Sequence, residues 1–527
     1  MMADKDLYNP SILLKKVKNG GKQNKKTALG LHFSDVLNRK FGDMKYTSTR
    51  GGESDVDFGD VLFAGYAPDG GLFMPQDIPR LDKDTLLKWS AFSYPDLVKE
   101  VCTIFVPSEL IPRQDLNDLI DKAFSRFRHS NVVHLCRMKN GLNVLEMWHG
   151  VTHAFKDLAM SCVSQFLQYF LKKQNNFLKK HVTILVGTSG DTGSSAIESV
   201  RGVRNIDIVV LLPHGRCTQI QELQMTTVIE ENVHVFAAEG TSDDLDVVIK
   251  KLFADKEFVG RHNLMSLNSV NWARIMIQIA HFFYAYYQCA SAVETDDPLP
   301  IVEVVVPTGG AGNITGLETG CIAQRMCLPI QLVAGVNNND IIHRTIQNGD
   351  FSLSDTVLST LASAMDIQEP YNMERIFWLV TNSDSSLVKN LMEEFQKNKA
   401  CKLPDELHAK IAELLISYSI SDEGIIQTMK RCWVDNHYLL CPHSAVAVFY
   451  HFMMSDCHQN RPRCCLAPAS AAKFQNALLR ADLTPQIPPE IKALEVMETR
   501  FTLLKKEDDW ELILRDKIED IHLQRNV

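Results

Sequence analysis

Two apolar runs of strand length, residues 182–186 and 301–306, each end in a glycine-rich turn that opens a helix-like stretch. The first turn reads Thr188-Ser-Gly-Asp-Thr-Gly193 and the second Pro307-Thr-Gly-Gly-Ala-Gly-Asn313. Further strand-like runs at 206–212, 233–237 and 330–336 alternate with helical stretches, which argues for a doubly wound parallel sheet flanked by helices. Thr241-Ser-Asp-Asp244 is a helix-start signal ahead of Leu245, Val248 and Leu252. Ile275, Ile279, Phe282, Phe283 and Tyr286 recur at helical spacing and read as a buried helix face.

A strand-to-helix turn presents unpaired N–H groups at the positive end of the helix dipole, which suits an anion. Neither glycine-rich turn fits G-x-G-x-x-G or G-x-x-x-x-G-K-[ST], so dinucleotide and ATP readings are disfavoured. A third turn carries a lysine. The short strand expected at 142–147 leads into His149-Gly-Val-Thr-His-Ala-Phe-Lys-Asp157, where a long amphipathic helix begins. Lys156 is therefore the best catalytic candidate. A lysine with two separate anion-binding turns fits an aldehyde cofactor bearing phosphate, the amine forming a Schiff base and one turn holding the phosphate. His149 and His153 are four apart, yet no H-E-x-x-H exists and no metal is assigned. The G-x-S-x-G elbow is missing as well.

At 527 residues the chain exceeds the usual single-core limit, so two or more domains are expected. The net charge of −9 argues against a nucleic-acid footprint, and no apolar run is long enough for a membrane span. Thirteen scattered cysteines without a C-x-x-C pair favour free thiols in a reducing compartment, the cytoplasm. Residues 1–43 carry a net +5 and read as a disordered leader. A mitochondrial presequence is disfavoured, because Arg39 is the one arginine there and Asp4, Asp6, Asp35 and Asp43 interrupt the basic pattern. Turn signals at Pro68-Asp-Gly-Gly71 and Pro75 mark an N-terminal unit of residues 44–140. A catalytic α/β region of two subdomains follows over 141–485, and 486–527 is expected to hold a strand hairpin, at 499–514, and a tail.

Trp148-His-Gly-Val-Thr-His-Ala-Phe-Lys-Asp157 and Gly187-Thr-Ser-Gly-Asp-Thr-Gly193 resemble the threonine synthase family of pyridoxal-phosphate enzymes. The resemblance extends to Ser48-Thr-Arg-Gly51, Tyr66-Ala-Pro-Asp-Gly-Gly-Leu-Phe-Met-Pro75, Asn268-Ser-Val-Asn-Trp-Ala-Arg274, Ala364-Met-Asp-Ile367, Asn372-Met-Glu-Arg375, Pro442-His443 and Ala472-Lys-Phe474, covering roughly residues 44 to 475. Cys464-Cys-Leu-Ala-Pro-Ala-Ser-Ala-Ala-Lys-Phe474 is most similar to the vertebrate threonine synthase-like branch. The resemblance implies fold type II, like tryptophan synthase β, with an N-terminal threonine-synthase-type unit.

It implies pyridoxal 5'-phosphate on Lys156, its phosphate wrapped by Gly309, Gly310, Ala311, Gly312 and Asn313. Thr188, Ser189, Gly190, Asp191 and Thr192 would receive the substrate carboxylate, Asp191 also lying near the cofactor ring or, in a plainer role, capping its helix. Arg274 and Arg50 are candidates for the substrate phosphate, or else structural ion pairs. One segment departs from the family. Where threonine synthases commonly read Thr-Ala-His-Pro-Ala-Lys-Phe, this chain reads Pro468-Ala-Ser-Ala-Ala-Lys-Phe474, which removes the threonine expected near the pyridine nitrogen and leaves Ser470 as its nearest substitute.

The expected partners are small phosphorylated amino acids, in a chain that can form homo-oligomers. Three activities fit: a phospho-lyase converting O-phosphohomoserine and O-phosphothreonine to 2-oxobutyrate, ammonia and phosphate; a threonine synthase; and a non-catalytic cofactor-binding interaction protein. The altered segment and the likeness to the vertebrate branch favour the lyase.

Overall fold

The computed structural model describes residues 44–173, 181–290, 299–309, 316–457 and 461–525. The expected leader, and Gly310, Ala311, Gly312 and Asn313 of the expected phosphate loop, lie outside these residues.

Two sheets organise the chain. The first contains β5 (Val182–Gly187), β6 (Ile206–Pro213), β7 (Val233–Ala238), β8 (Leu264–Met265) and β15 (Thr502–Leu504), in the order β15-β7-β6-β5-β8 and parallel throughout. The second contains β3 (His134–Arg137), β4 (Asn143–Glu146), β9 (Val302–Pro307), β10 (Ile330–Val336), β13 (Leu415–Ser419) and β14 (Arg463–Ala467), ordered β13-β10-β9-β14-β4-β3. It is parallel except for the edge strand β3, which runs against β4 with His134 opposite Glu146. Helices on both faces leave the inner strands no solvent side, which is why β6 is an unbroken apolar run apart from Asp207, buried along its whole length. Two small antiparallel ribbons, β1 (Tyr46–Ser48) with β2 (Phe73–Pro75) and β11 (Asp350–Ser352) with β12 (Ala400–Lys402), stand outside the main sheets. The doubly wound parallel architecture read from the strand runs is therefore present.

The helix Trp272–Cys289 is buried on every side from Trp272 to Tyr286, not along one stripe. The N-terminal unit explains this. Tyr46 lies against Trp272 (ring centroids 5.9 Å), Trp89 against Phe283 (5.1 Å), and the Tyr94 hydroxyl is 2.9 Å from His281 Nδ1. A helix covered on all faces needs apolar residues all round. Thr241 caps the helix Ser242–Ala254 with a full capping box, as its sequence signal announces.

The C-terminal segment differs from expectation. β15 makes no hairpin; it pairs in parallel with β7, Leu503 opposite Ala237, and is followed by the helix Trp510–Arg525. Leu514, Ile518 and Ile521 of that helix are buried in a cluster with Leu245, Ile249 and Leu252. The charged stretch at 505–509 is a strand-to-helix turn, not the tip of a hairpin.

Candidate active site

Lys156 opens the helix Lys156–Lys173, and the segment that delivers it is held by the chain that follows β14. Met147 N donates to Ala467 O (3.1 Å), Phe155 N to Pro468 O (2.7 Å), Ser470 N to His153 O (3.1 Å), and Ala154 bridges Ala469. The divergent Pro468–Ser470 segment is thus the immediate neighbour of the lysine turn. Within that turn Asp157 is buried and accepts from Thr152 N (2.7 Å), Thr152 Oγ1 (2.7 Å) and Ser195 Oγ (2.6 Å). A Cβ on Gly150 would stand 2.3 Å from the Asp157 carboxylate, so this close approach requires glycine. His153 sits at φ 58, a strained value for a residue with a Cβ, held by the pairing on both sides.

The Lys156 side chain is buried, and among the described residues its Nζ has no hydrogen-bond or ion-pair partner. Burial pushes its pKa down to about 8; Arg274 and Lys473 push the same way, while the Asp191 carboxylate opposes them. A fraction of neutral amine near neutrality is what a nucleophile and proton carrier needs.

The first glycine-rich turn lies beside it at the start of the helix Asp191–Val200. Gly190 caps this helix at φ 134, a conformation that L side chains rarely adopt. Thr188, buried, uses its Oγ1 to accept from Gly190 N (2.9 Å) and Gly193 N (2.8 Å). Asp191 does not cap its helix. Its Oδ1 lies 2.6 Å from Lys473 Nζ and accepts from Gln221 Nε2 (2.9 Å). Burial alone would raise the Asp191 carboxyl, but the ammonium groups of Lys473 and Lys156 hold it well below the usual carboxylate range. Lys473 also donates to Thr152 O (2.8 Å), so one buried cation ties the anion turn to the lysine turn. Ser189 and Thr192 are half-buried in the same turn.

Three further groups meet here. His443 is fully buried; its Nε2 accepts from Ala364 N (3.1 Å), which puts the proton on Nδ1, and Nδ1 has no partner among the described residues. Burial lowers its pKa to about 4, so it is a neutral donor that senses Asp191, Lys156 and Lys473. Arg274 donates through Nη1 to Leu267 O (2.8 Å) and leaves Nε and Nη2 without partners among the described residues. Glu318 is buried, both oxygens without partners among the described residues; burial raises its pKa to about 8 against the pull of Arg375 and Arg274. Ser470, by contrast, caps locally by accepting from Ala472 N (3.3 Å). Arg50 lies elsewhere. Its guanidinium forks onto Glu374 (Nε–Oε1 3.0 Å, Nη2–Oε2 2.9 Å) on the wall of a cavity of ≈ 1010 Å³ that also includes Tyr66, Lys250 and Tyr371. Lys156, Asp191 and Lys473 do not line that cavity, so its size does not mark the chemistry.

The residues present fit pyridoxal phosphate. They supply a buried lysine amine and, among the described residues, an imidazole Nδ1 and a threonine hydroxyl, Thr308 Oγ1, both buried without a partner. Thr308 immediately precedes Gly309, where a Cβ would lie 2.7 Å from Met365 Cα, leaving no room for any other residue as the chain enters the expected phosphate loop.

Sequence reading had singled out Lys156, Asp191 and Arg274, which this geometry brings together. It did not assign site roles to Lys473, Gln221, His443 or Glu318. Lys473 and His443 stand in the quoted motifs, and that is the only signal they carry.

Known proteins match along the whole of this architecture. The family model for the threonine synthase N terminus matches residues 45–124, that for pyridoxal-phosphate dependent enzymes residues 145–463, and that for the threonine synthase C-terminal region residues 444–515. Threonine synthase-like 2 of Xenopus laevis is 66% identical over 92% of this chain and 100% of its own length. The crystal structure of yeast threonine synthase superposes with a TM-score of 0.83 at 32% identity, covering 92% of this chain and 100% of that one. The pyridoxal-phosphate-bound threonine synthase of Brucella melitensis gives 0.81 at 33%, covering 91% and 99%.

Proposed function

This chain belongs to the threonine synthase family of pyridoxal-phosphate-dependent enzymes, and from that premise we propose that it is a phospho-lyase. Its substrates are O-phosphohomoserine and O-phosphothreonine, each of which takes up one water and leaves as 2-oxobutyrate, ammonia and phosphate. Pyridoxal phosphate, when bound, supplies the electron sink that makes the Cα and Cβ protons of an amino acid removable.

Lys156 holds the cofactor and carries protons to and from the substrate carbons, a task suited to an amine of pKa about 8. Asp191 and Thr192 open a helix, where backbone amides lack intrahelical partners and receive the substrate carboxylate. Arg274, with two unpartnered nitrogens, takes the substrate phosphate. His443 Nδ1–H and Thr308 Oγ1 are donors left over for the cofactor or substrate. Lys473 fixes the spacing of the two turns.

The observation that carries the lyase reading is the pairing of Pro468–Ser470 with His153–Phe155. A proline in that segment contributes a carbonyl and no side-chain hydroxyl, and the Ser470 hydroxyl accepts from Ala472 N as a local cap. Threonine formation demands a water held over one face of Cβ while release is prevented, and Pro468 offers no side-chain group for it. The second reading, threonine synthase, rests on the full-length likeness to that enzyme. Turnover of O-phosphohomoserine by cofactor-loaded protein separates them. 2-Oxobutyrate and ammonia should exceed threonine, and both phosphorylated substrates should release phosphate. Threonine matching most of the phosphate released, or no turnover of either substrate, overturns the proposal.

A further inference from the structure

The free edge of the six-stranded sheet carries donor groups that the chemistry at Lys156 does not use. His134 and Cys136 are two apart on β3, so the pleat sends both side chains to one face, and Glu146 stands opposite His134 on β4. One donor atom from each of the three lies within 4.8 Å of the others. We propose that His134, Cys136 and Glu146 form a zinc site, with solvent as the fourth ligand.

The donor set argues for the metal class. Thiolate, imidazole and carboxylate together suit Zn²⁺ and its neighbours and exclude Mg²⁺ and Ca²⁺, which take oxygen alone. With Zn–N near 2.0 Å and Zn–S near 2.3 Å, donors around a tetrahedral ion stand roughly 3.3–3.6 Å apart. The observed span closes to that by side-chain adjustments of about an ångström. β3 has a neighbour on one side only, and His134 and Cys136 are half-buried, so an ion can enter from solvent.

Outer contacts already orient the ligands. The buried Glu146 carboxylate accepts from Tyr438 OH on Oε1 (2.6 Å), faces His149 Nε2 on Oε2 (2.9 Å) and is also hydrogen-bonded by the Cys136 thiol, whose proton an ion would replace. His129 packs its ring on His134 (centroids 4.5 Å) and on His149 (4.9 Å). Cys136 would bind as the thiolate, so the ion displaces a proton on binding. The site would tie the edge strand to β4, the strand that leads into the Lys156 turn.

Cobalt is the probe. Full-length protein carrying its cofactor is stripped with a chelator and titrated with Co²⁺, whose tetrahedral d–d bands lie at longer wavelength than the cofactor's absorption. We expect one saturable Co²⁺ per chain with a thiolate charge-transfer band, both abolished by added Zn²⁺. Cys136→Ser should lose the charge-transfer band and His134→Ala should weaken binding more than tenfold, each with the cofactor's visible absorption retained. Tyr438→Phe, which removes an orienting contact, should weaken it roughly tenfold. A thiolate band surviving in Cys136→Ser, unchanged affinity in His134→Ala, or no saturable binding to the wild-type protein overturns the site.

Discussion

Lys156 and Lys473 are both buried lysines, but their surroundings give them opposite tasks. Lys473 is pinned to Asp191 and Thr152, whereas Lys156 has no such partner among the described residues and a pKa lowered to about 8. Lys156→Ala should therefore lose the visible absorption of the bound cofactor together with turnover; a surviving band that borohydride fixes onto another lysine would relocate the attachment. Burial disfavours the charged amine, and the neutral form is the nucleophile. Uptake of pyridoxal phosphate by stripped protein should accordingly accelerate as pH rises through about 8, as stopped-flow absorbance would register, and a flat profile across that window contradicts it. Lys473→Met strands a buried carboxylate and should cost about 3–5 kcal/mol in urea unfolding. Paired with Asp191→Asn it should cost less than the sum of the single changes, and strict additivity would deny the coupling. Lys156 was legible because a strand, a turn and a helix follow one another locally. Lys473 was not, because its role depends on Thr152, 321 positions away, and no local pattern encodes that pairing.

At the level of elements, strand runs were readable wherever both faces are buried, since continuous apolar sequence is then required. β10, expected at 330–336, is Ile330–Val336. The terminal segment was misread because β15 is only three residues long and takes its partner from β7, far back in the chain. The spacing of Leu514, Ile518 and Ile521 is helical, but the alternation on either side of the charged turn at 505–509 reads as paired strands. Turn geometry supplies a test. Gly309→Ala places a Cβ 2.7 Å from Met365 Cα, an overpacking worth about 1–3 kcal/mol. Thermal unfolding should fall accordingly and the cofactor should leave faster on dialysis; a variant indistinguishable from wild type by both measures would mean that the turn has slack.

For the molecule as a whole, Glu318 should shape how stability varies with pH. Burial raises its pKa from 4.5 to about 8 in the folded protein, so between those values the native state holds a proton that the unfolded chain releases. Stability from this group is full below pH 4.5 and is lost as pH rises through about 8, by several kcal/mol at most. Glu318→Gln should flatten that decline in urea midpoints measured across the window, and an unaltered slope would place the titration elsewhere. Fold class was the most legible property, because alternation of strands and helices is written along the chain. Sheet order was not, since β14 inserts between β9 and β4 from some 320 residues beyond its neighbour Asn143. That insertion bears on biosynthesis. While the chain is still emerging from the ribosome, the six-stranded sheet lacks an inner strand and the five-stranded sheet lacks its β15 border. Nascent chains expose unpaired parallel edges until the segments carrying β14 and β15 arrive, so chains truncated before β14 should aggregate more readily than the full chain, as light scattering on refolding would register.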